Sequence, residues 1–136
     1  KTPEKCIYAI EITYDNKTVS GRALFDSGNT LCDCFSGRPV IIAEKDFIAP
    51  LLDNTDLTQA KSFRLIPFST IKSSGALPAF SADKVSISIN KKMIETNSVF
   101  IGVTEKKIVS GGYSALLGTP FFDAIGNQIE GGISVK

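Results

Sequence analysis

Two short segments carry residue types that can do chemistry. Asp26-Ser27-Gly28-Asn29 follows directly on an apolar run ending at Phe25, and about ninety residues later Ala115-Leu116-Leu117 runs into Gly118. A carboxylate at a strand end, beside a hydroxyl and a glycine, can serve as a general acid or base at a loop mouth. Taken alone, Asp-Ser-Gly is weak evidence, because all three are favoured turn residues. Composition narrows the chemistry further. The chain of 136 residues has no histidine. That excludes Ser-His-Asp and Cys-His catalysis, histidine general bases and the usual zinc ligand sets. Hydrolysis must come from carboxylates, Lys, Cys or hydroxyls. Cys6, Cys32 and Cys34 are too few, and odd in number, for a disulfide framework. Cys32-Asp33-Cys34 has no further Cys or His to complete a four-ligand site, so no metal or other cofactor is expected. The thiols read as reduced.

The remaining composition sets the frame. Lys and Arg number 15 against 14 Asp and Glu, a net charge of +1. Neither half is charged enough to suggest a nucleic-acid partner. Apolar residues make up 43%, which supports a real core. No apolar run approaches the roughly 18 residues of a membrane span, and no secretory signal pattern opens the chain. The length fits one domain covering residues 1–136.

The elements that must hold these segments read as mostly β. From Cys6 to Tyr14 the even positions are apolar or aromatic, which predicts a half-buried strand. Asp15-Asn16-Lys17 is turn chemistry, and Val19 to Phe25 completes a hairpin that feeds into Asp26. Pro39 to Ala43 predicts a short buried strand. Glu44 to Leu52 predicts a helix with Phe47, Ile48, Leu51 and Leu52 inward, weakened by Pro50. Phe63 to Ile71 reads as a strand interrupted at Pro67, which suits an edge. Lys72-Ser73-Ser74-Gly75 reads as a flexible tip before Ala76 to Phe80. Val85, Ile87 and Ile89 alternate with polar residues, Asn90-Lys91-Lys92 turns back to Met93 and Ile94, and Val99 to Val103 and Tyr113 to Leu117 are further strands. Thr119-Pro120 opens a short helix that Gly126 is expected to end.

As an ordered set these residues resemble single-lobe aspartic peptidases of the retroviral type. Asp26-Ser27-Gly28 matches the catalytic loop, the stretch around Gly75 the flap, and Leu116-Leu117-Gly118 the segment that braces the loop. A closer resemblance is to the protease half of the sporulation sigma-E-factor-processing peptidases of spore-forming bacteria. It is carried by Asp26-Ser27-Gly28-Asn29, Arg64-Leu65-Ile66-Pro67-Phe68, Gly75-Ala76-Leu77-Pro78-Ala79-Phe80 and Ala115-Leu116-Leu117-Gly118, and it spans roughly residues 7–122.

The resemblance implies an all-β, retropepsin-like barrel with a flap hairpin and one or two short helices. It implies Asp26 as the catalytic residue, with Ser27, Gly28 and Asn29 as loop support. It places Ser73, Ser74 and Gly75 in the flap and Leu116, Leu117 and Gly118 in the brace. In aspartic proteases two carboxylates share one proton, because like charges about 3 Å apart cannot both ionise cheaply. This chain has one Asp-Ser-Gly, so the chemistry requires a homodimer that brings Asp26 to its copy. Residues 128–135 are candidates for interface strands. The implied substrate is an inactive sigma-factor precursor. The implied setting is the cytoplasmic, mother-cell face of a membrane, with an activating signal from a protein across it. The membrane-spanning half of the family is not in this sequence.

Blander readings compete. Asp33 and Asp123 read as structural or solvated, and Tyr113 as a packed or rim residue. Phe63, Phe68 and Phe80 read as packing for the arm. The same fold can also serve as a catalytically silent peptide-binding domain, which sedimentation would separate from a dimeric enzyme. Phosphoryl transfer on Asp26 is a third class, but Gly28 stands where that chemistry needs a second acidic ligand.

Overall fold

The computed structural model describes residues 6–108 and 112–131, with 127–131 by backbone alone. Strands β1 (Ile7–Tyr14) and β2 (Lys17–Phe25) form the expected hairpin. Asp15 and Asn16 both take positive φ, 52° and 63°. That is the two-residue turn whose twist matches paired strands. The same device at Asn90 and Lys91 joins β6 (Lys84–Ile89) to β7 (Lys92–Thr96).

Between these hairpins lie β3 (Val40–Glu44), helix α1 (Lys45–Leu52), a 3-10 turn at Leu57–Gln59, β4 (Arg64–Ser69) and β5 (Ser74–Ser81). The chain continues through β8 (Phe100–Thr104) and β9 (Ala115–Leu117) into helix α2 (Thr119–Gly131). All nine strands join one sheet in the order β4-β5-β8-β3-β9-β2-β1-β6-β7. The described residues thus form an all-β fold with two α-helices.

The sheet curls on itself. Tyr14 of β1 and Phe80 of β5 have four strands between them in the sheet order, yet their rings meet at 5.0 Å. One apolar cluster therefore draws on both ends of the sheet, from Ile10 and Ile87 to Phe80 and Ile101, and on Ile48, Leu51, Phe121 and Ile125 of the helices. Burial of these side chains is the main drive for the curl.

Three expectations need correction. Pro67 does not interrupt its strand: it sits within β4, opposite Ala76, on the outermost strand where a missing amide donor costs no ladder bond. The hairpin turn closes over Thr70–Ser73, where Thr70 N donates to Ser73 O at 2.7 Å; Ser74 and Gly75 already belong to β5. Gly126 does not end α2, and Gln128–Gly131 are helical rather than strand. Glycine inside a helix costs about 1 kcal/mol and is a stop signal only where the chain must turn left-handed. The last part of the expected interface strand, 132–135, lies outside the described residues.

Candidate active site

Strand β2 delivers Asp26. Its last residues pair in parallel with β9, Leu24 with Leu116 and Phe25 with Leu117. Asp26 N extends that ladder by donating to Leu117 O at 2.8 Å. The chain then turns, and Asn29 N donates to Asp26 O at 2.9 Å. Behind the loop Phe25 meets the Phe122 ring edge-on at 5.1 Å, and Tyr8 meets the same ring at 5.5 Å.

Inside the turn Gly28 N donates to Asp26 Oδ1 at 2.9 Å. A Cβ on Gly28 would lie 3.3 Å from that oxygen. Gly28 has no positive φ, so close approach to the carboxylate is the reason for glycine here. Ser27 is exposed at the loop surface.

Asn29 is the buried anchor of the loop, 5% exposed. Its amide donates to Val40 O at 3.3 Å and Leu116 O at 3.5 Å, and its Oδ1 accepts from Leu31 N at 3.1 Å. One side chain thus ties the loop to β3 and β9. Its backbone oxygen accepts from Thr119 N at 3.2 Å, at the start of α2. Gly118 makes this possible, because a Cβ there would overlap the Asn29 carbonyl oxygen.

Asp26 opens onto a groove of about 680 Å³. Gly28, Asn29 and Leu31 continue the loop wall, Ile42 lines the groove from β3, and residues 103–106 line it as well. The β4–β5 hairpin contributes Phe68, Ser69, Thr70 and Ser73, then Ala76 to Pro78. β5 pairs with β8 only through Ala79–Ser81, so its outer half stands free of β8 where the groove opens. Such an arrangement can hold an extended chain beside a carboxylate.

The structure brings Asp26, Ser27, Gly28 and Asn29 together with Leu116, Leu117 and Gly118, and it puts Ser73 on the groove. Ser74 and Gly75 are not among the groove residues. Gly75 faces Phe68 across the hairpin, where a Cβ would come 3.3 Å from the ring. Asp33 does not line the groove either. Sequence reasoning missed 103–106 and the turn residue Thr70 as groove residues. No local signal marks them, because the groove joins segments that are distant in sequence. Cys6, Cys32 and Cys34 are exposed and not in disulfides.

The fold and this site define a class: an all-β domain with an Asp-Ser-Gly loop braced by a Leu-Leu-Gly strand beneath a β-hairpin. The family model described as sporulation factor SpoIIGA (Peptidase_U4) matches residues 1–120, and the chain belongs to that peptidase family. It is 30% identical over 118 residues to a Clostridium acetobutylicum protein described as a "probable sporulation sigma-E factor-processing peptidase". The match covers 86% of this chain and 42% of that relative's length. No helix among the described residues is long and apolar enough to cross a membrane.

Proposed function

We propose that this chain is the catalytic domain of an aspartic endopeptidase that cleaves an inactive sigma-factor precursor during sporulation. The observation that carries the reading is the placing of the Asp26 carboxylate, held by Gly28 N at 2.9 Å, on the wall of a groove beneath a hairpin. The relative's description supplies the substrate class.

In the proposed reaction Asp26 meets the same residue of a second copy across a two-fold axis, giving a retropepsin-like dimer. One carboxyl is protonated and the other is not. The ionised group takes a proton from water as the water oxygen bonds to the peptide carbon. The protonated group gives its proton to the carbonyl oxygen. Collapse of the tetrahedral diol returns a proton to the leaving nitrogen and breaks the C–N bond. The pair titrates as a unit. Ser27, exposed at the loop surface, can hydrogen-bond across the paired loops. The hairpin closes over an extended substrate and excludes water. The parent protein places this domain on the cytoplasmic face of a membrane, where a signalling protein on the far side activates it.

The test is Asp26→Ala and, separately, Asp26→Asn in the full-length parent, assayed for precursor cleavage. Both are expected to abolish turnover while thermal unfolding stays near that of the unsubstituted protein. Surviving cleavage in either variant removes Asp26 from the mechanism.

A further inference from the structure

The segment 31–39 leaves the Asp26 loop and returns to β3. At its near end Leu31 N bonds Asn29 Oδ1, and Leu31 O accepts from Val40 N at 3.1 Å. At its far end it grips both legs of the β4–β5 hairpin at their base. Arg64, which opens β4, donates from Nε to Asp33 Oδ1 at 3.1 Å. Arg38 Nη2 donates to Oγ of Ser81, which closes β5, at 2.7 Å.

The segment is built to hold this grip. Asp33 Oδ2 accepts from Ser36 N at 3.0 Å and from Ser36 Oγ at 2.7 Å. Asp33 N donates to Arg38 O at 2.8 Å, and Gly37 N donates to Asp33 O at 2.7 Å. The Arg38 and Arg64 guanidinium groups lie 4.5 and 5.3 Å from the centre of the buried Phe100 ring. The Asp33 side chain is 2% exposed, whereas no side chain in the other ion pairs of the described residues is below 34%. Exposed pairs let go at little cost, but a buried carboxylate that loses its cation is left uncompensated.

We infer that Asp33 and Arg64 are positioning residues that set the angle of the hairpin over the Asp26 loop. The inference rests on reading Asp26 as the catalytic group and the hairpin as its cover. Leverage makes the link matter. Thr70 is six residues along the chain from Arg64, about 20 Å of extended strand. A tilt of about 10° at the base therefore moves the groove end of the hairpin by about 3.5 Å, enough to lose van der Waals contact with a bound chain.

Arg64→Gln in the full-length parent tests this, with Arg64→Lys as the conservative variant. Lys61→Gln is the control, because it breaks an exposed ion pair with Asp83 of 2.8 Å that does not touch the segment 31–39. Hydrogen exchange is read in an Asp26→Asn background, so that turnover plays no part. Arg64→Gln is expected to speed exchange of hairpin amides 64–81 about tenfold and to leave the β6–β7 hairpin unchanged. Arg64→Lys restores most of the protection, and Lys61→Gln has no effect. With Asp26 intact, Arg64→Gln is expected to raise KM about tenfold and to change kcat less than twofold. Unchanged hairpin exchange overturns the inference. So does an equal rise in the β6–β7 hairpin, the mark of a merely structural pair, and so does a loosened hairpin with normal KM. If Asp26→Asn still cleaves the precursor, the catalytic reading fails, and the exchange result stands or falls separately.

Discussion

At the scale of single residues, close approach and burial decide more than reactivity. Gly118 is glycine because α2 starts against the Asn29 carbonyl, so the loop and the helix cannot both keep their places around a methyl group. Gly118→Ala is expected to destabilise the domain by about 1–3 kcal/mol, read as a lower urea midpoint at unchanged slope. Asp33 supplies a second test. Burial alone would raise its pKa, but hydrogen bonds from Ser36 and the bond and charge of Arg64 outweigh it and leave the pKa lowered. A lowered folded pKa contributes stability that is present above the unfolded value of about 3.9 and is lost as pH falls through the folded one. Urea midpoints should therefore drop below about pH 4, and Asp33→Asn should flatten that part of the profile. The position of Asp26, at a turn directly after the strand that ends in Phe25, was legible in the sequence. The anchoring of Asn29 was not, because its partners Val40 and Leu116 lie 11 and 87 residues away.

At the scale of elements, local patterning foretold most strands, since alternation reports which face meets the core. The β1–β2 and β6–β7 hairpins followed from Asp15-Asn16 and Asn90-Lys91, residues that accept positive φ. Pro67 marked an edge strand for a reason that holds without knowing the sheet order. Gly126 misled, because glycine ends a helix only where the chain must turn left-handed. Helix α1 docks through Phe47 over Gly21 of β2, where a Cβ would fall 2.7 Å from the ring. Gly21→Ala should push that ring aside and cost about 1 kcal/mol, the low end for overpacking beside a movable side chain. Thermal unfolding followed by circular dichroism measures it. A shift no larger than that of a neutral surface change would mean that the ring yields freely.

For the whole molecule, the curl of the sheet makes the core and leaves the Asp26 loop at the surface beside a groove. The proposed dyad needs a second copy of that loop. The chain spans 42% of the length of its curated relative. In the proposed function the domain acts tethered to a membrane, and tethering raises effective concentration without any new contact. The isolated chain is therefore expected to be mostly monomeric in dilute solution and weakly active. Analytical ultracentrifugation checks this, and a tight, active dimer would contradict it.

Residue types and spacing determined the all-β class, the absence of histidine chemistry and the pairing of an Asp-Ser-Gly loop with a later Leu-Leu-Gly segment. These are legible because alternation, turn preference and side-chain chemistry act over a few residues. Tertiary structure alone decided that Asn29 is the buried anchor, that 103–106 line the same groove as Asp26, and that Asp33 clasps Arg64 at the foot of the hairpin. Those facts depend on which distant strands lie side by side. Strand order is set by burial summed over the whole core, which no short stretch of sequence contains.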